Sequence, residues 1–241
     1  MLRRHKLKSN TRFKNLYDGQ SCFIIGSGRS VLDFDLNLLK DQNVFLCNRF
    51  FMHPQAEIVN GIAYFDMDPA SSHTRHPEPY WNGGGYHREL CEFVKKRNMQ
   101  LFQRVCLRTF SEARGIFFPN VSYLESSGLL SVARDVKTDM AGRMNVLDGV
   151  VFAMLGAAYY FGFKKIYLIG CDYTFSPQQL GHFFGDHLGY TDNPVDSRHK
   201  KMRDFLESHG VNVINLTPDG LTSPVYDSQN MKEFISQRKG V

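Results

Sequence analysis

The chain has 241 residues, with 29 Lys and Arg against 24 Asp and Glu, a formal net charge of +5. Hydrophobic residues make up 42% and charged residues 22%, an ordinary globular mixture that excludes wholesale disorder, and the length fits one large domain or two small ones. The charge is uneven: Arg3, Arg4, Lys6, Lys8, Arg12 and Lys14 lie within an acid-free first 14 residues, and the remainder holds 23 basic against 24 acidic side chains.

Residues 1–20 therefore read as a basic N-terminal tail. Ser21–Gly26 (SCFIIG) is a short apolar run closed by glycine and reads as a buried strand. Gly26-Ser-Gly-Arg-Ser30 follows, and Val31–Lys40, with Leu32, Leu36 and Leu39 on one face, predicts a helix with Ser30 as its N-cap. Asn43–Asn48 and Gly61–Phe65 predict the next two strands, the latter ending at Asp66-Met-Asp68. Asp66–Gly85 is a long loop holding His73 and His76, Tyr86–Arg97 predicts a helix, and Met99–Leu107 and Gly115–Tyr123 could each hold a strand. Asn145–Phe163, rich in Ala and Leu with Gly162 at its end, predicts the longest helix. Lys165–Gly170 predicts the fourth main strand, ending in Gly170-Cys-Asp172. A second long loop, Tyr173–Asn193, carries His182 and His187. Asp196–His209 is helical, Val211–Leu216 is the last strand, and Gln229–Arg238 is a closing helix.

Alternating strands and helices of this kind predict an α/β fold: a doubly wound, mostly parallel sheet with a lid region, residues 173–194, after the fourth main strand, all within a single domain, 21–241. The longest apolar stretch, Val146–Phe163, is broken by Asp148 and three glycines and does not read as a membrane span. Polar residues 8–14 stand where the apolar core of a signal peptide would follow the first basic residues. Cys22, Cys47, Cys91, Cys106 and Cys171 show no CxxC and no zinc spacing, and are expected to be reduced, buried residues of a cytoplasmic protein.

The polar residues that follow strand ends share one expected location. Gly26–Ser30, Asn48, Asp66, Asp172 and Pro218–Gly220 all fall at the carboxyl edge, where open α/β sheets bind ligands. Glycines in a strand–helix turn let backbone N–H groups reach a phosphate. Val31 stands where the dinucleotide fingerprint wants a third small residue, and no acid follows the second strand, which argues against NAD. Asp66 and Asp68 could hold a divalent metal bridging a diphosphate, or be solvated strand-end acids. Asp148 and Gly149 open the long helix, to cap it or to meet a ligand. Asp172 can accept from ribose hydroxyls or stand exposed. His182, or His187 nearby, is suited to take a proton near neutral pH.

Three ordered blocks carry a resemblance. CFIIGSGRSVLDFDLNLLKDQNVFLCNRFF resembles the N-terminal signature of the bacterial family 42 sialyltransferases and of the related MptE-like, Maf-type proteins. LDGVVFAMLGAAYYFGFKKIYLIGCDYTF resembles their second signature, and GHFF followed by a helix and a strand into LTPDG resembles their third. The resemblance implies a Rossmann-like domain that binds a nucleotide sugar. It places the nucleotide at Gly26, Ser27, Gly28, Ser30, Asn48, Asp148, Gly149, Gly170 and Asp172, with Asp66 where the sialyltransferases have an asparagine. It makes His182 the base and Tyr173 a partner of the departing phosphate. Leu147-Asp148 replaces the family's Thr-Ser, so Asp148 would have to meet base or ribose rather than phosphate.

The expected activity is inverting transfer of a sugar, of sialic-acid type, from a CMP donor to a glycan hydroxyl in surface-polysaccharide synthesis, with no cofactor required. The alternatives are an MptE-like pyrophosphokinase, with Mg²⁺ at Asp66 and Asp68, and a non-catalytic nucleotide-binding protein of a polysaccharide locus. The expected partners are a nucleotide-sugar donor and a glycan acceptor. Nucleic acid is not expected, because the basic charge belongs to the tail and not to the body. That tail suggests peripheral contact with an anionic inner membrane face, and self-association is compatible with the sequence.

Overall fold

A computed structural model describes residues 7–67, 85–113, 117–118, 120–128, 135–146, 149–185, 189–191 and 197–239. Its strands in chain order are β1 (Ser21–Ile25), β2 (Val44–Cys47), β3 (Ala63–Asp66), β4 (Gln100–Arg104), β5 (Val121–Leu124), β6 (Lys165–Ile169), β7 (Gln178–Leu180), β8 (Gly189–Thr191), β9 (Asn212–Thr217) and β10 (Asp227–Asn230). The helices are α1 (Gly85–Lys96), α2 (Val105–Ala113), α3 (Val150–Tyr160), α4 (Ser197–Ser208) and α5 (Met231–Lys239).

Eight strands form one parallel sheet in the order β10-β9-β6-β1-β2-β3-β4-β5. The central strands are apolar runs buried on both faces, as a covered parallel sheet requires. Alternate residues feed two separate cores. Cys22, Ile24, Phe45 and Phe65 join α3 and α4 on one face. Phe23, Ile25, Leu46 and Tyr64 join α1 and α5 on the other. The chain runs outward from β1 to β5 and returns to the far side of β1 as β6. The strand order thus reverses between β1 and β6, and the crevice above their carboxyl ends is the topological switch point.

Several expectations change. The helix predicted over Val31–Lys40 is two 3₁₀ turns, Arg29–Asp33 and Leu36–Leu39. Phe34 between them is extended, and the Asp35 carboxylate takes the Asn37 N–H, an alternative to helix that short polar side chains offer. Gly28, not Ser30, caps the first turn. Met99–Leu107 divides into β4 and the start of α2. The loop after Tyr173 contains an antiparallel pair, β7 and β8. The polar edge strand β10 precedes α5, in part of what the sequence suggests as helix. Cys22, Cys47 and Cys171 are buried, whereas Cys91 is half-buried and Cys106 exposed.

From Leu7 onward the segment expected as a tail is packed on the body. Phe13 enters the α3 core, and buried Asn10 donates to the carbonyls of Tyr123 and Met140. Residues 15–19 clasp the end of α3: the N–H groups of Asn15, Tyr17 and Gly19 donate to the carbonyls of Tyr160, Phe161 and Gly162. Helix α3 ends there in a Schellman motif. Gly162 (φ +93°) donates to Tyr159 and Phe163 donates to Ala158.

Candidate functional site

The glycine turn Gly26–Ser30 leaves β1 at the switch point and is braced against the turn that leaves β6. The N–H groups of Gly26 and Gly28 donate to the carbonyls of Ile169 and Gly170, both at 2.7 Å. A Cβ on Gly26 would overlap the Gly170 carbonyl oxygen, and one on Gly28 would overlap the Asp172 carboxyl. These glycines are required by turn-against-turn packing, whatever binds above them. Gly170 itself turns at φ +66°.

Asp172 is the centre of the brace. Its carboxylate, 2% exposed, accepts from the Ser30 N–H at 2.8 Å and the Ser30 hydroxyl at 2.5 Å. Burial raises its pKa, and the bonds from Ser30 oppose that rise. The N–H groups of Gly26, Gly28 and Ser30 are thus committed inside the protein. The cations that the turn region offers to a ligand are side chains: exposed Arg29 in the turn itself and half-buried Arg49 after β2. Buried Ser27 Oγ and Asn48 Oδ1, both beside the crevice, have no hydrogen-bond partner. Asn48 leaves β2 with φ +50°, a conformation asparagine tolerates better than most residues.

The segment Gly181–Gly185 (GHFFG) is tied to the glycine turn, since the Phe183 N–H donates to the Ser27 carbonyl at 3.0 Å. Phe183 packs inward, edge-on to His53 at 5.2 Å. His182 is exposed, and its ring stacks on Phe184 at 4.9 Å with planes 13° apart. The Arg49 guanidinium lies 5.0 Å from the same Phe184 ring. Phe183 and Phe184 belong to the GHFF block marked in the sequence, whereas Arg49 and His53 were not singled out there. The adjacent aromatics next to a histidine were the available signal.

Tyr173 belongs to the opposite wall. It is half-buried, packs against the α3 core, and its ring lies 5.3 Å from His199 on α4. His199 Nδ1 is 2.8 Å from the Tyr226 hydroxyl. Gly149, at φ +124°, forms the N-cap of α3 on this side, and its conformation is one that a side chain would strain. Asp148 lies outside the described residues, as do Asp68, His73, His76 and His187.

Asp66 lies in a buried network that the Tyr86 hydroxyl, 3.2 Å from the Asn48 carbonyl oxygen, links to the end of β2. Gln103 Nε2 donates to its Oδ2 at 2.8 Å and the Tyr86 hydroxyl to its Oδ1 at 3.2 Å, with His87 Nε2 3.5 Å from Oδ2. The carboxylate is 0% exposed, so neither a solvated strand-end acid nor an open metal ligand describes it. Among the described residues no three His, Cys, Asp or Glu side chains converge as a metal centre. No helix among them is long and apolar enough to cross a membrane.

No protein-family model and no curated protein matches the chain. Solved structures do match in fold. The Maf glycosyltransferase of Magnetospirillum magneticum AMB-1 superposes with a TM-score of 0.55 and 14% identity, over 98% of this chain and 41% of that one. The chain thus spans about two-fifths of the Maf protein's length. The sialyltransferase CstII of Campylobacter jejuni with cytidine-5'-monophosphate gives 0.47 and 14%, over 89% and 86%. CST-II with a trisaccharide acceptor and CMP gives 0.49 and 14%, over 88% and 86%. The chain shares its doubly wound fold with the Maf glycosyltransferase.

Proposed function

We propose that the protein is a glycosyltransferase that takes a nucleotide sugar, CMP-linked and of sialic-acid type, in the β1–β6 crevice. The fold it shares with a Maf glycosyltransferase and the three sequence blocks described above support this reading. The observation that carries it is the bond from Phe183 to Ser27, which keeps the lid segment and its exposed histidine at the ligand edge of the switch point.

In the proposed reaction the acceptor hydroxyl oxygen forms a bond to the anomeric carbon as the bond from that carbon to the donor phosphate breaks. His182 takes the hydroxyl proton, and the nucleotide leaves with the bonding electron pair. The transition state is oxocarbenium-like, so catalysis depends on stabilising charge on the departing phosphate. With the N–H groups of Gly26, Gly28 and Ser30 committed, that task falls to Arg29, Arg49 and the Tyr173 hydroxyl. Asp172 acts by holding the turn in shape. The reaction needs no metal, and full activity in EDTA is expected. The decisive assay measures CMP release from CMP-sialic acid with a glycan acceptor. His182→Ala should lower the rate by about 10²–10⁴-fold, the usual range for a general base. A rate equal to wild type removes His182 from the mechanism.

A further inference from the structure

Tyr64 stands on β3, paired with Leu46 of β2, and its ring is fully buried and edge-to-face with Phe93 at 5.9 Å. A side chain so enclosed has one place to put its hydroxyl. That hydroxyl donates to the Asn48 carbonyl at 2.6 Å and accepts the Phe51 N–H at 3.3 Å. Residues 48 and 51 are the first and last of a turn, and in such turns this carbonyl and this N–H often bond each other. Here a phenol from the neighbouring strand stands between them. Burial keeps it protonated by pushing its pKa well above the usual phenol value.

The turn is where the chain leaves the sheet. The Asn48 N–H still bonds to it, at the Phe65 carbonyl, but Asn48 is left-handed at φ +50° and the next residue, Arg49, opens the 3₁₀ turn Phe50–Met52. The Asn48 carbonyl belongs to the planar peptide that joins it to Arg49, so holding that oxygen orients the plane from which Arg49 departs. A second phenol, Tyr86, lies 3.2 Å from the same carbonyl. Its single proton is divided between this oxygen and Asp66 Oδ1, also at 3.2 Å, so Tyr64 is the firmer support. Beyond the turn, Phe50 is anchored in the core, and the Arg49 guanidinium lies 5.0 Å from the Phe184 ring, on which His182 stacks.

We propose that Tyr64 is a positioning residue of the crevice: its hydroxyl fixes the Asn48–Phe51 turn so that Arg49 is seated on Phe184 and turned to a phosphate, and a core side chain thereby decides how strongly the site prefers nucleotides to nucleosides. The proposal rests on the reading of Arg49 as a cation for the donor phosphate. Tyr64 is itself 0% exposed and acts only through Arg49. Without its hydroxyl the Phe51 N–H loses its acceptor, the Asn48 carbonyl keeps only a share of the Tyr86 proton, and the peptide ahead of Arg49 gains freedom to rotate. A guanidinium already held in place loses little freedom when it binds an anion, and that is the source of the affinity.

The test is isothermal titration of the full chain and its variants with CMP and with cytidine. Tyr64→Phe keeps the ring and removes the hydroxyl. It should weaken CMP about tenfold, the scale of one bond to a charged group, and leave cytidine within about twofold. Arg49→Met should weaken CMP by at least as much, and adding Tyr64→Phe to it should change CMP affinity by less than about twofold, because the second change acts through the first. Tyr86→Phe, which removes only a shared bond, should weaken CMP less than Tyr64→Phe does. Equal losses for CMP and cytidine, additive losses in the double variant, or the reverse order of the two tyrosines would overturn the proposal. A readout without nucleotide is the imidazole NMR signal of His182, identified by its absence in His182→Gln. Tyr64→Phe and Arg49→Met should both move it, and either variant leaving it in place overturns the seating of Arg49 on Phe184. If the wild-type chain binds no CMP, the nucleotide-sugar reading fails, and the seating of Arg49 by Tyr64 stands or falls on this signal.

Discussion

Asp172 and Gly28 fix the site at the smallest scale. Gly28→Ala forces a methyl group against the Asp172 carboxyl and the Gly170 carbonyl. A loss of about 1–3 kcal/mol in denaturant unfolding is expected, with weaker CMP binding, because overpacked turns shift rather than compress. His53 gives a pH signature. Its folded pKa lies below the ordinary 6.5, so the unfolded chain binds the extra proton first. Its contribution is intact above that value and is lost as pH falls from 6.5 through the folded pKa. His53→Phe should lack this component of acid destabilisation in urea titrations at pH 7 and pH 5, and an unchanged difference between the two pH values would remove His53 as its source. The sequence marked Gly26, Gly28, Ser30 and Asp172 but not their relation. Four strand-end residues can each face a ligand or face one another, and only the β1–β6 register decides between the two.

Helices and strands repeat the lesson with a different cause. The parallel strands were legible because burial on both faces writes a continuous apolar run. The edge strand β10 (DSQN) was not, because its ladder bonds to β9 need no apolar side chains. The two 3₁₀ turns after β1 were read as helix because Leu32, Leu36 and Leu39 keep helical spacing, while the Asp35 side chain diverts the backbone. At the end of α3 the expectation held, since glycine in a left-handed cap is a local requirement. Gly162→Ala combines that strain with a Cβ 2.9 Å from Asp18 Cα, and should cost about 1–3 kcal/mol or more by thermal unfolding. In the lid segment, Phe184→Leu removes the platform shared by Arg49 and His182. Turnover of the proposed transfer should fall while KM for the acceptor changes little, and Phe184→Tyr should restore it. A fall in affinity alone would mean that the ring serves binding only.

Across the whole molecule, the described part of the basic segment is built into the body. Lys8, Arg12 and Lys14 belong to a stretch whose Asn10 and Phe13 are built into the body. Deleting residues 1–14 should therefore cost about 3–5 kcal/mol, as losing a core phenylalanine does. Docking on an anionic membrane is tested with a deletion of residues 1–6, which leaves Asn10 and Phe13 in place. If sedimentation with phosphatidylserine vesicles is the same with and without residues 1–6, Arg3, Arg4 and Lys6 make no membrane contact.

The clasp of residues 15–19 on the end of α3 also sets an order of events during synthesis. Its partners, Tyr160 to Gly162, leave the ribosome some 145 residues later, which at 5–20 residues per second is roughly 7–30 s. Residues 15–19 must wait through that interval before the clasp can form.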